Sequence, residues 1–133
     1  YDTDYAAKAK YALDSLGHND FVFVHVEAPD EAGHNGDLRA KIGAIENFDR
    51  LVVGPVLEYA KSRKDVRVLV MPDHATPISV RTHVSDPVPF AIFGSGVQKR
   101  EISVFSEKAS RVSDLVFNEG WKILKYFIKE RAI

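Results

Sequence analysis

Asp30-Glu31-Ala32-Gly33-His34, Asp73-His74 and His83 concentrate the metal-ligating side chains of this sequence. In each case hard oxygen or imidazole donors stand just past an apolar run. Asp-x-x-x-His offers a carboxylate and an imidazole about one helical turn apart, close enough to grip one cation. Asp73-His74 sets the same two donor types side by side after Val68-Leu69-Val70-Met71. Such donors suit a divalent ion that polarises an oxygen and stabilises developing negative charge. Taken singly, each motif has a plain alternative: Asp30 as a helix cap, Asp73-His74 as ordinary residues after a strand. Taken together, they read as a metal site. His25 lies inside an apolar run and reads as a hydrogen-bonded core histidine, and His18 reads as a solvated turn residue. Glu27 and Glu31 are either acceptors orienting ligand imidazoles or surface charges. Lys41 and Arg81 lie near the motifs, where a cation could contact phosphate.

The elements that must hold these groups follow from periodicity. Residues 5–16 carry Ala, Lys and Leu with Gly17 as a stop, and predict a helix. Phe21-Val22-Phe23-Val24-His25-Val26 has the composition of a strand buried on both faces. A loop with Pro29, Gly33 and Gly36 is expected next. Leu38, Ile42, Ile45, Phe48, Val52, Val56 and Tyr59 recur at steps of three or four, which predicts a long amphipathic helix kinked or split at Gly54-Pro55. Residues 66–71 and 90–93 read as further strands, residues 72–89 as the loop between them, and residues 114–131 as a closing helix with Trp121, Leu124 and Ile128 facing the core. Alternation of helix and buried strand argues for an α/β fold with a mainly parallel sheet. Ligands gather at the carboxyl ends of such strands, where these motifs fall.

The chain has 133 residues, 45% hydrophobic and 28% charged, with a net charge of -1. That is one domain's worth of ordinary globular sequence. The near-zero charge gives no field for nucleic acid or anionic lipid. Cysteine is absent, so disulfides and thiolate ligands are excluded. No apolar stretch reaches the roughly 20 residues of a membrane helix, and the start resembles no signal peptide. A cytoplasmic protein is expected. Tyr1 in place of an initiator Met suggests part of a longer chain.

His25-Val26-Glu27-Ala28-Pro29-Asp30-Glu31-Ala32-Gly33-His34-Asn35-Gly36-Asp37, then Lys41, Ile45-Glu46 and Asp49, then Pro72-Asp73-His74-Ala75-Thr76-Pro77 and Arg81-Thr82-His83-Val84-Ser85-Asp86-Pro87-Val88-Pro89-Phe90 closely resemble the cofactor-independent phosphoglycerate mutases of the archaeal type. These enzymes belong to the alkaline phosphatase superfamily. The resemblance implies a three-layer α/β/α sandwich and two divalent ions, manganese, magnesium or zinc. By the family pattern Asp30, His34 and His83 hold one ion. Asp73 and His74 hold the other, with an Asp and a nucleophilic Ser contributed from upstream. The implied reaction interconverts 3-phosphoglycerate and 2-phosphoglycerate through a phosphoserine, a step of glycolysis and gluconeogenesis. Neither Ser79 nor Ser85 has the nucleophile's strand-end context, so no catalytic residue is assigned within residues 1–133. The whole chain is expected to be the C-terminal part of the phosphatase-like domain, without the nucleophile segment or the inserted substrate domain, inactive alone and prone to self-association. The alternatives are a sister phosphotransferase or hydrolase of the superfamily, such as a phosphopentomutase or phosphonate hydrolase, or a non-catalytic metal-binding domain.

Overall fold

Asp4 opens the first helix, its carboxylate accepting the Ala7 N–H at 2.9 Å. A computed structural model describes residues 1–129, and in it α1 runs over Tyr5–Ser15. Tyr5, Ala9 and Ala12, spaced four and three apart, are its buried face. The helix ends within a residue of the expected place, just before Gly17.

Residues 21–26 carry no bridge to another strand among the described residues. Their burial alternates: Val22, Val24 and Val26 are half-buried, while Phe21 and Phe23 are 46% and 76% exposed. The expected strand, buried on both faces, is therefore replaced by a segment covered on one face only. Burial on both faces needs neighbouring strands, and this segment has none there. His25 shares the open face, so it is not a core histidine; its Nδ1 lies 3.7 Å from Glu27 Oε1.

The expected loop after it is instead a helix, α2, Ala28–Asn35. Pro29 falls in the first turn, where no N–H is needed. Gly36 caps the other end at φ 69°, the left-handed conformation that stops a helix cheaply only at glycine. Asp37 then caps α3, Leu38–Phe48, accepting from Ala40 N–H at 2.9 Å. The long helix is split as Gly54-Pro55 demanded, by a π-helical turn over Asp49–Val53 before α4, Gly54–Lys61. The Gly54 N–H reaches back five residues to Asp49 O, which widens the helix just before Pro55, a residue that has no N–H to give.

Two compact units divide the chain. The first comprises residues 1–59 and 74–86. Its core gathers Tyr5, Ala28, Ala44 and Val52, with Val24, Val26, Phe48 and Leu51 packed against them. An antiparallel bridge between Ala75 and Val84, with Val84 N–H donating to Ala75 O at 3.0 Å, ties the two ends of the loop that bears His83.

The second unit comprises residues 60–73 and the chain from Pro87 onward. Its strands β1, Arg67–Val70, and β2, Ala91–Gly94, pair antiparallel in the register Arg67 to Gly94 and Val70 to Ala91. This pair is antiparallel, whereas a mainly parallel sheet was expected from the alternation of helix and strand. The Arg67 guanidinium donates to Ser95 O at 2.6 Å and Phe127 O at 2.9 Å. Phe90, Phe117 and Tyr126 form an aromatic chain at 5.7 and 5.2 Å. Two helices complete the unit, α5, Glu107–Ser110, and α6, Lys122–Lys129. The expected closing helix thus begins later, and its proposed end at Arg131 lies outside the described residues. The face expected in the core is open, with Trp121 just before the helix, Leu124 and Ile128 all exposed, while Ile123 is buried. No helix among the described residues is long and apolar enough to cross a membrane.

Candidate metal centre

His34 follows Asp30 by four positions, so α2 carries both on one face. His34 Nε2 lies 3.3 Å from Asp30 Oδ2. The loop closed by the Ala75–Val84 bridge brings His83, whose Nε2 is 3.5 Å from Asp30 Oδ1 and 3.1 Å from His34 Nε2. Donors held at about 2.0–2.1 Å from a tetrahedral zinc-sized ion stand roughly 3.4 Å apart. The Nε2 atoms of His34 and His83, 3.1 Å apart, stand near that edge, and with one oxygen from Asp30 the three donors lie within 4.8 Å of one another. The donor set is also chemically suited, two imidazoles and a carboxylate. It is open to approach, since the His83 side chain is 52% exposed.

The protonation of His34 follows from its surroundings. Its Nδ1 lies 3.0 Å from the Arg81 carbonyl, which can only accept. Nδ1 therefore carries a hydrogen, and in the neutral ring Nε2 keeps the lone pair a cation needs. Arg81 holds that carbonyl in place with a left-handed backbone at φ 58°, a conformation a non-glycine residue adopts at a cost. Burial alone would push the Asp30 carboxyl up. The Thr76 hydroxyl bond and the imidazoles of His34, His83 and His74 together outweigh burial, and its pKa falls below the ordinary carboxylate value.

Of the five residues singled out in the sequence, Asp30, His34 and His83 converge as one group. His74 lies beside them, its ring centroid 3.7 Å from that of His83 and its Nδ1 4.0 Å from Asp30 Oδ1. Asp73 is an exposed residue of the second unit and is not among the three converging donors. Lys41, one of the two cations near the motifs, donates from Nζ to Thr76 O at 2.6 Å. Sequence reading missed Thr76, whose Oγ1 lies 2.5 Å from Asp30 Oδ1. A threonine after Asp-His signals nothing by itself, and its partner is 46 residues away.

The chain resembles known proteins over most of its length. It is 48% identical over 128 residues to the 2,3-bisphosphoglycerate-independent phosphoglycerate mutase of Methanothrix thermoacetophila, covering 96% of this chain and 33% of that protein. To the enzyme called 2,3-bisphosphoglycerate-independent phosphoglycerate mutase 2 of Methanothermobacter thermautotrophicus it is 47% identical, covering 98% of this chain and 32% of the relative. The chain thus spans about a third of the length of the curated relatives it matches. A solved structure of a Pyrococcus horikoshii protein superposes with a TM-score of 0.78 at 38% identity, over 84% of this chain and 33% of that one. Residues 1–119 match the metalloenzyme superfamily, and on that match, with the Asp30, His34 and His83 donors gathered inside it, the chain belongs to the metalloenzyme superfamily.

Proposed function

We propose that this chain is the C-terminal, metal-binding portion of a cofactor-independent phosphoglycerate mutase that interconverts 3-phosphoglycerate and 2-phosphoglycerate in the cytoplasm, as a step of glycolysis and gluconeogenesis. The observation that carries the reading is the convergence of Asp30, His34 and His83 in a chain whose relatives bear that enzyme's name. In this reading the three residues hold one divalent ion, manganese, magnesium or zinc. Asp73 and His74 hold a second, with an Asp and the nucleophilic Ser supplied from outside residues 1–133. The wider fold is then a three-layer α/β/α sandwich with a mainly parallel sheet, to which this chain contributes the C-terminal part.

Bound divalent ions would polarise oxygen and offset the charge of a transferring phosphoryl group. The chain's own residues prepare for this. Arg81 O fixes the tautomer of His34, α2 holds Asp30 in register with it, and the exposed edge at His83 admits solute. Phosphate would return from the serine to the other hydroxyl of bound glycerate. Substrate-clamping residues would come from outside this chain.

Calorimetric titration of the chain with manganese or zinc tests the reading. One tight site is expected, and His34→Ala should abolish it. No binding, or two equally tight sites, would overturn the ligand assignment. A coupled assay should detect no 2-phosphoglycerate from the isolated chain, because nucleophile, ions and substrate clamp act as a unit. In the complete protein Asp30→Ala should lower turnover by orders of magnitude.

A further inference from the structure

Thr76 is the buried polar side chain of the described residues, 5% exposed. Its Oγ1 touches two residues from the two proposed ligand sets: Asp30 Oδ1 at 2.5 Å and His74 Nδ1 at 3.2 Å. The hydroxyl has one hydrogen, and a carboxylate has none to offer. That hydrogen must therefore lie along the shorter contact, donated to Asp30. Only lone pairs of Oγ1 then remain for His74, so His74 Nδ1 must be the donor. The unprotonated nitrogen of His74 is consequently Nε2, the same nitrogen that His34 presents through its own bond to Arg81 O.

The hydroxyl is held from the backbone side as well. Lys41 Nζ donates to Thr76 O at 2.6 Å. Gly33 leaves room for this arrangement, since a Cβ there would stand 2.7 Å from Thr76 O, 2.9 Å from Lys41 Nζ and 3.0 Å from Thr76 Cγ2. Next to Thr76, Ala75 is fixed by its bridge to Val84. A side chain locked at both ends, buried, and bonded to two candidate ligands does more than fill space.

We propose that the Thr76 hydroxyl is a positioning group of the metal centre, which orients the Asp30 carboxylate and sets the tautomer of His74 so that Nε2 is its ligand nitrogen. The proposal rests on the metal-binding reading above, and its consequence is that one hydroxyl links the two ligand sets.

The test compares Thr76→Val, which keeps the shape and removes the hydroxyl, with Thr76→Ser, which keeps the hydroxyl. Nitrogen-15 shifts of the imidazoles, read in the metal-free 133-residue chain at about pH 8, report the tautomers. A zinc titration supplies the second readout. The unsubstituted chain and Thr76→Ser should show His74 protonated at Nδ1. Thr76→Val should show mixed tautomers and bind zinc about 10- to 100-fold more weakly, with Thr76→Ser restoring affinity. His74 protonated at Nε2 in the unsubstituted chain overturns the proposal without recourse to any variant. So does a Thr76→Val protein that keeps both the tautomer and the affinity. A chain with the expected tautomers that binds no zinc refutes the metal reading instead, and the hold of Thr76 on Asp30 and His74 stands.

Discussion

At the scale of single residues, the centre depends on how closely α2 approaches the loop that follows His74. Gly33 sets that distance. An alanine Cβ at this position would lie 2.7 Å from the backbone oxygen of Thr76, which cannot swing aside as a side-chain tip would. Gly33→Ala should therefore destabilise the chain by about 1–3 kcal/mol, as overpacking does, and weaken zinc binding as well. Gly43→Ala is the control, because nothing lies within 4 Å of the added Cβ and alanine favours the helix. Urea unfolding of the two variants should move in opposite directions, and equal midpoints would refute the close-approach argument. The donor types were readable in the sequence, since carboxylates and imidazoles announce themselves and a spacing of four fits a helix face. What fixes them was not. The Arg81 carbonyl acts on His34 across 47 residues and the Thr76 hydroxyl acts on Asp30 across 46, and neither group stands out by type.

At the scale of elements, the capping residues decide where helices begin. Asp37 accepts from Ala40 N–H at 2.9 Å at the head of α3. Asp37→Ala should cost about 0.5–2 kcal/mol, read as a lower urea midpoint with an unchanged slope. An unchanged midpoint would mean that packing alone sets the start of α3. Helix α1 was legible from its Ala, Lys and Leu content and its Gly17 stop, and α3 because its apolar residues recur at three and four. Helix α2 was not, because eight residues containing Pro29 and Gly33 carry too little periodicity and those residue types suggest a loop. Their positions were the missed signal: proline in the first turn and a glycine just past the last are how a short helix starts and stops. Gly54-Pro55 gave the opposite case. Proline chemistry predicted a kink or split, and a π-helical turn precedes the proline.

At the scale of the molecule, two of the three expected strands form, and how they pair was not legible. The runs around Val68 and Ile92 are strands, yet nothing in their composition says that they pair antiparallel. Residues 21–26 show the same limit, since apolar composition says that a segment wants cover without saying what supplies it. Here Phe23 is 76% exposed and Phe21 46%, on a segment with no bridge to another strand among the described residues. Unpaired backbone beside apolar side chains is a template for pairing with another chain. We therefore expect the isolated chain to self-associate, most simply as a two-fold dimer. Sedimentation at micromolar concentration should show a species heavier than the 14.9 kDa monomer. Phe23→Lys should return it toward the monomer, because a charge on that face resists burial against a second copy. The contacts within the first unit leave Phe23 largely outside, so its substitution should cost little stability. A stable monomer before substitution would show that the exposed face needs no cover, and a dimer indifferent to Phe23→Lys would move the interface elsewhere.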